Sequence, residues 1–327
     1  MNPQPMSLSL GKRRGLQQCA SSVNTFCILA LDHRRVIRDA FADVKPAERA
    51  YRGAVEFKQL VVRALAPAIS AVLLDPFFGA GPAIAANALP GNLGLLVSVE
   101  ESGYAGAEEA RISRVSPEWG VNKIKAMGAS AVKLLVYYHP DSSTATQMQS
   151  LVSRIAADCQ VHDIALFLEP LSYPLQSRRA RTSAEIRRDI IQSARDLTPL
   201  GGEVLKVEFP LDSEQDKDEA LWLEACQELN AATRIPWVLL SAATSYETFK
   251  RQTLIACQAG ASGVLAGRSV WKEALRLPGS EREQFLATTA LRRMQELRQI
   301  CDDNARPYLE YYPTETLSED WMQAKLA

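Results

Sequence analysis

No excess of either charge sign marks this chain: 37 Lys and Arg stand against 38 Asp and Glu over 327 residues, a formal net charge of -1. That balance excludes the basic footprint of a nucleic-acid binder and any pull toward an anionic membrane, leaving small molecules or other subunits as partners. No CxxC pair occurs among the six cysteines (Cys19, Cys27, Cys159, Cys226, Cys257, Cys301), so a disulfide frame is not expected and reduced thiols in the cytoplasm are. Histidine is scarce: His33, His139 and His162 have no metal-ligand spacing, which leaves poor material for a zinc site. Long uninterrupted hydrophobic runs are missing too. The longest apolar region, 71–99, is broken by Asp75, Pro76, Pro82, Asn87, Pro90 and Asn92 and cannot be a membrane span. At the N-terminus, Met6, Leu8 and Leu10 precede Lys12, Arg13 and Arg14, the reverse of the order in a secretory signal. A GxGxxG turn after the first apolar run is also lacking, which disfavours an open dinucleotide-binding sheet.

What the chain does have is a repeat of short apolar, β-branched runs, each followed by helical periodicity. The expected strands are Phe26–Asp32, Ala71–Phe77, Leu95–Glu100, Ala131–Tyr138, Ala165–Pro170, Val204–Pro210, Trp237–Ser241 and Gly263–Ala266. Helices are expected over Glu48–Leu65, Pro117–Met127, Ser143–Asp158, Asp218–Ala232 and Glu281–Ala305. Capping boxes at Thr182/Glu185 and Thr244/Glu247 should open two more. Continuously apolar strands need cover on both faces, which crossover helices on a parallel sheet provide. Eight such units predict a closed (β/α)8 TIM barrel over residues 23–305, with a short N-terminal extension (1–22) and a C-terminal tail (306–327).

Two lysines interrupt those apolar runs, Lys133 in Ala131–Tyr138 and Lys206 in Val204–Pro210. A buried ammonium tends to lose its proton, and a neutral lysine is a nucleophile toward carbonyl carbon. Lys206 is read as the nucleophile of a Schiff base, and Lys133 as the neighbouring cation that disfavours its protonation. The plainer alternative is that Lys206 pairs with Glu208 or Glu169 to fill a barrel layer. Glu169, after Leu166-Phe167-Leu168 and before Pro170, should reach the mouth as a partly desolvated general acid/base; Asp32 is a similar candidate, or a helix cap. Asp32, Glu100, Glu169, Glu208, Ser241 and Arg268 all follow their apolar runs, at the end where barrel enzymes carry their sites. The stretches Ser241–Ser245 and Gly263–Ser269 have the small residues, hydroxyls and one cation of a phosphate site, with Arg268 the main ligand or, in the plainer reading, a capping residue. Arg178, Arg179 and Arg181 read as a solvated basic face that could otherwise meet a second anion.

These segments, in order, resemble the class I tagatose 1,6-bisphosphate aldolases and their relatives, which include sulfofructose 1-phosphate aldolase. The likeness runs from about Leu10 to Trp271. It rests on Leu29-Ala30-Leu31-Asp32, Leu73-Leu74-Asp75-Pro76, Glu100-Glu101-Ser102-Gly103-Tyr104, Val132-Lys133-Leu134-Leu135-Val136-Tyr137-Tyr138, Phe167-Leu168-Glu169-Pro170-Leu171, Val204-Leu205-Lys206-Val207-Glu208, Leu240-Ser241-Ala242 and Gly263-Val264-Leu265-Ala266-Gly267-Arg268. It implies a Schiff base on Lys206 assisted by Lys133, proton handling by Glu169 and Asp32, and phosphate held by Ser241, Gly267 and Arg268. It also implies a homo-oligomer, dimer or tetramer; the histidine spacing for its part points to neither a metal nor a cofactor. His33 and His139 depart from the family, which carries glutamine and an acid at these places. With Glu208, His33 is therefore placed in the substrate-binding set, where the far end of the substrate is read. The expected reaction is cleavage of a ketose 1-phosphate, by default tagatose 1,6-bisphosphate, to dihydroxyacetone phosphate and an aldehyde. A sulfosugar phosphate aldolase and a non-catalytic sugar-phosphate sensor are the alternatives.

Overall fold

The computed structural model describes residues 7–42, 46–176, 179–319 and 321. Eight parallel strands close into a barrel in chain order: β1 (Phe26–Leu31), β2 (Ala71–Leu74), β3 (Gly94–Ser98), β4 (Ala131–Tyr137), β5 (Ala165–Leu171), β6 (Val204–Val207), β7 (Trp237–Leu240) and β8 (Gly263–Ala266). Closure is made by β1 against β8, where Phe26 pairs with Gly263. Gly263 has φ 136°, and a Cβ there would sit 1.9 Å from the Phe26 carbonyl oxygen, so only glycine lets the last strand meet the first.

The helices are α1 (Leu10–Cys19), α2 (Arg35–Ala40), α3 (Ala47–Leu65), α4 (Gly81–Ala85), α5 (Val121–Ala126), α6 (Ala145–Val161), α7 (Ser183–Leu197), α8 (Glu219–Ala232), α9 (Tyr246–Gln258), α10 (Arg268–Trp271), α11 (Gly279–Phe285) and α12 (Leu291–Asn304). Their apolar faces and the outward strand residues form one core, with Leu29, Leu74, Leu134, Leu168 and Leu239 among its members. The inward residues form a second, including Phe26, Ile28, Leu73, Leu96, Phe167, Val204, Val238 and Leu265. This division is the period-2 alternation of each strand, so the two-faced burial inferred from unbroken apolar runs is realised.

The expected strands run one to three residues long at several C-terminal ends, because polar residues there leave the ladder to enter the mouth. After β2 the chain turns at once: Asp75 accepts the N–H groups of Phe77 and Phe78 at 2.9 and 2.8 Å, opening a π-helical turn over Pro76–Ala80. The Thr182/Glu185 capping box is present at α7. The Thr244/Glu247 box is corrected: Ser245 is the cap of α9 and accepts the Thr248 N–H at 3.1 Å, while Thr244 stays in the loop before it.

The segments outside the eight units seal the N-terminal end. Helix α1 lies so close beneath the barrel that a Cβ on Gly15 would fall 2.1 Å from the Ser130 carbonyl oxygen. Tyr308 stacks on Phe26 with centroids 5.3 Å apart, and the Tyr312 hydroxyl donates to the Glu203 carbonyl at 2.9 Å. With the base filled by apolar and aromatic side chains, the polar layer of the interior is left at the C-terminal mouth.

Candidate active site

Alternation places the polar groups. On β4 the inward row is Ala131, Lys133, Leu135 and Tyr137, and on β5 it is Ala165, Phe167 and Glu169; Lys133 pairs in register with Phe167, and Leu135 with Glu169. Lys206 follows Val204 on the inward row of β6, and Asp32 follows Ala30 at the end of β1. Each therefore stands one step above the apolar interior, and Lys133, Lys206 and Glu169 are all buried.

Lys133 is the hub. Its Nζ lies 2.8 Å from Asp32 Oδ2, 2.6 Å from Glu100 Oε1 and 2.8 Å from Glu169 Oε2. Burial by itself would strip its proton, but the carboxylates of Asp32, Glu100 and Glu169 outweigh that and hold it well above the usual lysine value. The reciprocal effect falls on Asp32. Burial raises its carboxyl, yet the Lys133 ammonium outweighs that and drives it below the ordinary carboxylate range. Lys206 Nζ is also 2.8 Å from Glu169 Oε2, so one carboxylate oxygen bridges the two lysines. Among the described residues Glu169 is the carboxylate partner of Lys206, against three for Lys133. Of the two carboxylates that the plainer alternative offered Lys206, Glu169 is its partner and Glu208 is not. Glu208 instead accepts both the N–H and the hydroxyl of Ser172 at 2.8 Å, fixing the loop after β5, and burial raises its carboxyl.

Across the mouth lie the loops after β7 and β8, where a phosphate site is expected. Ser241 Oγ accepts the Gly267 N–H at 3.2 Å, and Ser269 donates to the Thr244 carbonyl at 2.7 Å, tying the two loops together. Ala242 (φ 43°) and Ala243 (φ 63°) both adopt the left-handed region, a strain of about 1–3 kcal/mol each that clusters at ligand clamps. The Nε of Arg268 is buried and, among the described residues, has no hydrogen-bond partner. Burial lowers its guanidinium from the usual value and Asp32 opposes this. His33 edges onto Trp271, with Nδ1 3.9 Å from Asp32 Oδ1. Burial pushes its imidazole down to about 3, Asp32 pulling against that and Arg268 reinforcing it, so the ring is neutral at neutral pH.

Other expectations separate from this cluster. His139 Nε2 lies 3.3 Å from Asp189 Oδ2, beside Tyr173. Arg179, exposed, pairs with Glu185, whereas Arg181 is largely covered and pairs with Asp189 at 3.3 Å; Arg178 lies outside the described residues. Glu100, outside the expected site residues, carries the same sequence signal as Glu169, an acid directly after an apolar run, and belongs to the cluster. Lys58 gave no such signal, being one polar residue on an amphipathic helix. It is nevertheless buried, paired with Asp75, and donates to the Leu31 carbonyl at 2.7 Å, pinning the backbone beside Asp32. Among the described residues no group of three His, Cys, Asp or Glu side chains could hold a metal ion.

The family model for DeoC/LacD family aldolases matches residues 26–273. Among curated proteins, tagatose 1,6-diphosphate aldolase 2 of Streptococcus mutans serotype c is 31% identical over 330 residues, covering 93% of this chain and 98% of the relative. Tagatose 1,6-diphosphate aldolase 1 of Streptococcus pyogenes serotype M1 is 29% identical over 327 residues, at 93% and 99% coverage. Among solved structures, an archaeal fructose 1,6-bisphosphate aldolase shares the fold with a TM-score of 0.58 at 18% identity, covering 88% of this chain and 98% of that one. A buried lysine–carboxylate cluster at the mouth of a closed barrel thus comes with a family match that spans all eight strands, and the chain belongs to the DeoC/LacD aldolase family, a carbon–carbon lyase on a (β/α)8 barrel.

Proposed function

We propose that this enzyme is a class I aldolase that cleaves a ketose 1-phosphate through a Schiff base on Lys206, releasing dihydroxyacetone phosphate and an aldehyde. The observation that carries the assignment of the nucleophile is the unequal company of the two lysines. Three carboxylates keep Lys133 an ammonium, which has no lone pair to attack with, whereas Lys206 meets one carboxylate oxygen that it shares with Lys133. Tagatose 1,6-bisphosphate, for which the streptococcal relatives are named, is the default substrate, with glyceraldehyde 3-phosphate as the second product.

In cleavage, neutral Lys206 adds to the C2 ketone, and loss of water gives the iminium. Glu169 accepts the proton of the C4 hydroxyl, the C3–C4 bond breaks, and its electron pair moves into the iminium to leave an enamine. Protonation of the enamine at C3 and hydrolysis return the amine. The Lys133 ammonium keeps Glu169 oriented, and Asp32, held ionised, accepts from a substrate hydroxyl. Ser241, Gly267 and Arg268 hold the phosphate next to the ketone; neutral His33 and Glu208 line the mouth.

Residues 23–305 form the catalytic unit in this reading, with 1–22 and 306–327 as extensions, of which the described parts close its base. A cytoplasmic enzyme suits six cysteines that are all buried and unpaired. A homo-oligomer suits the exposed apolar group Tyr51, Phe77 and Ile84, and no described helix is long and apolar enough to cross a membrane. The decisive experiment is borohydride trapping with dihydroxyacetone phosphate followed by peptide mapping. A reduced adduct on Lys206, absent in a folded and inactive Lys206→Ala, is expected. An adduct on Lys133 would refute the assignment, and an unmodified protein that still binds the ligand would favour a non-catalytic sensor.

A further inference from the structure

Between β3 and β4 the chain makes an excursion over the mouth, held by antiparallel bridges of Glu100 with Val115 and of Ala105 with Ile112. Arg111 lies on its returning arm. The Arg111 backbone is fixed from both sides: Ala105 and Ile112 exchange hydrogen bonds at 2.9 and 2.8 Å, and Thr144 Oγ1 donates to the Arg111 carbonyl at 3.1 Å. Its guanidinium carbon stands 4.5 Å from the ring centre of Tyr104, 4.9 Å from that of Tyr173 and 5.5 Å from that of Tyr137. Tyr173 is anchored in turn by its hydroxyl, which donates to Ser142 Oγ at 2.8 Å. Three rings therefore hold the cation in place without neutralising it.

What the cage lacks is an acid. Arg179, Arg181, Arg187 and Arg188 on the neighbouring loop and helix all have carboxylate partners, but among the described residues Arg111 has none. Its Nε donates to the Glu108 carbonyl at 3.0 Å, which leaves four of the five guanidinium donors free for a ligand. Tyr137 places the cage relative to the chemistry. It is on the inward row of β4, four residues or about 13 Å toward the mouth from Lys133. The charges of Lys133 and Glu169 both act on its phenol. In a closed eight-strand barrel β4 stands opposite β8, so Arg111 is across the mouth from Arg268, with Lys206 and Glu169 on the strands between.

We propose that Arg111, caged by Tyr104, Tyr137 and Tyr173, is the subsite for a tetrahedral oxyanion at the far end of the ketose, a phosphate or a sulfonate. A guanidinium suits such a group because its planar fork can donate two parallel hydrogen bonds. A substrate with an anion at each end would be stretched between Arg268 and Arg111, laying its central carbons over Lys206. The proposal rests on the aldolase reading above.

The test compares wild type, Arg111→Met and Arg111→Lys on three ketose 1-phosphates carrying at C6 a phosphate, a sulfonate or a plain hydroxyl, with borohydride trapping of dihydroxyacetone phosphate run in parallel. Expected in Arg111→Met is a fall in the kcat/KM ratio of the anionic over the hydroxyl substrate on the order of 10- to 100-fold, mostly through KM, partly restored in Arg111→Lys. Whichever anion shows the larger fall identifies the source of the oxyanion. An unchanged ratio, whether from equal losses on all three substrates or from none, overturns the subsite while trapping on Lys206 leaves the Schiff-base reading standing. Failure of wild type to trap or turn over overturns that reading, and the subsite with it.

Discussion

Replacing Lys133 with methionine removes a cation that touches three carboxylate oxygens at 2.8, 2.6 and 2.8 Å. With an effective dielectric of about 20, each contact is about 6 kcal/mol of gross attraction, most of it offset by the cost of desolvating the ions. Breaking a buried pair by deleting one partner costs about 3–5 kcal/mol, and three acids left around Lys206 alone put this case at about 4 kcal/mol or more. Unfolding entropy of about 2.1 cal/mol/K per residue gives the 327-residue chain about 0.7 kcal/mol/K, so Tm should fall by about 6 °C at pH 7.

The pH dependence carries the sharper content. The lowered Asp32 carboxyl contributes stability that is present above the unfolded carboxyl value of about 3.9 and is lost as pH falls through its folded value. The raised Lys133 contributes stability that is complete below its unfolded value of about 10.4 and is lost as pH rises through its folded value. These two groups leave wild type unchanged between these limits, whereas His33, kept neutral in the fold down to about 3 while the unfolded imidazole takes up a proton below about 6.5, costs wild type and variant alike stability as pH falls below about 6.5. The variant leaves Asp32, Glu100 and Glu169 crowded together, and such acids take up protons as pH falls, so its deficit should shrink between pH 7 and pH 5. Calorimetry of both proteins at the two pH values measures this. A Tm loss of less than 2 °C at pH 7, or a deficit that does not change with pH, would refute the picture of Lys133 as the charge that holds the acids together.

Glu169→Gln should lower kcat by about 10²- to 10⁴-fold, because the group that accepts the C4 hydroxyl proton is gone, while the borohydride-trapped adduct on Lys206 still forms. Loss of the adduct as well would move the role of Glu169 to an earlier step. Arg268→Ala should raise KM for a ketose 1-phosphate by about 10- to 100-fold, in keeping with about 1.5–3 kcal/mol for a charge-assisted hydrogen bond, and an unchanged KM would remove it from the phosphate site. Gly263→Ala should destabilise the chain by more than about 3 kcal/mol, since its Cβ would meet the Phe26 carbonyl oxygen at 1.9 Å in a positive-φ backbone. A soluble Gly263→Ala with wild-type Tm would contradict the tightness of the β1/β8 seam.

The sequence by itself determined the barrel and the inventory of its mouth. Strand order and parallel direction follow from eight apolar runs each followed by a helix, and a charged residue inside such a run has to sit at the end that opens to water or find partners. On that logic Lys133, Lys206, Glu169 and Asp32 were legible as one constellation, and so were the small residues and the arginine after β7 and β8. Only the tertiary structure decided which acid meets which base. Glu100 and Asp32 stand far along the chain from Lys133, and no local pattern says that they converge on it while, among the described residues, Glu169 is the acid that reaches Lys206. The left-handed Ala242 and Ala243, the Lys58–Asp75 pair under the β1 end and the tyrosine cage of Arg111 were equally out of reach. Sequence patterns report what each residue must bury, a property set by neighbours along one element. Ion pairing and loop strain depend instead on distances between elements, and closing the barrel is what fixes them.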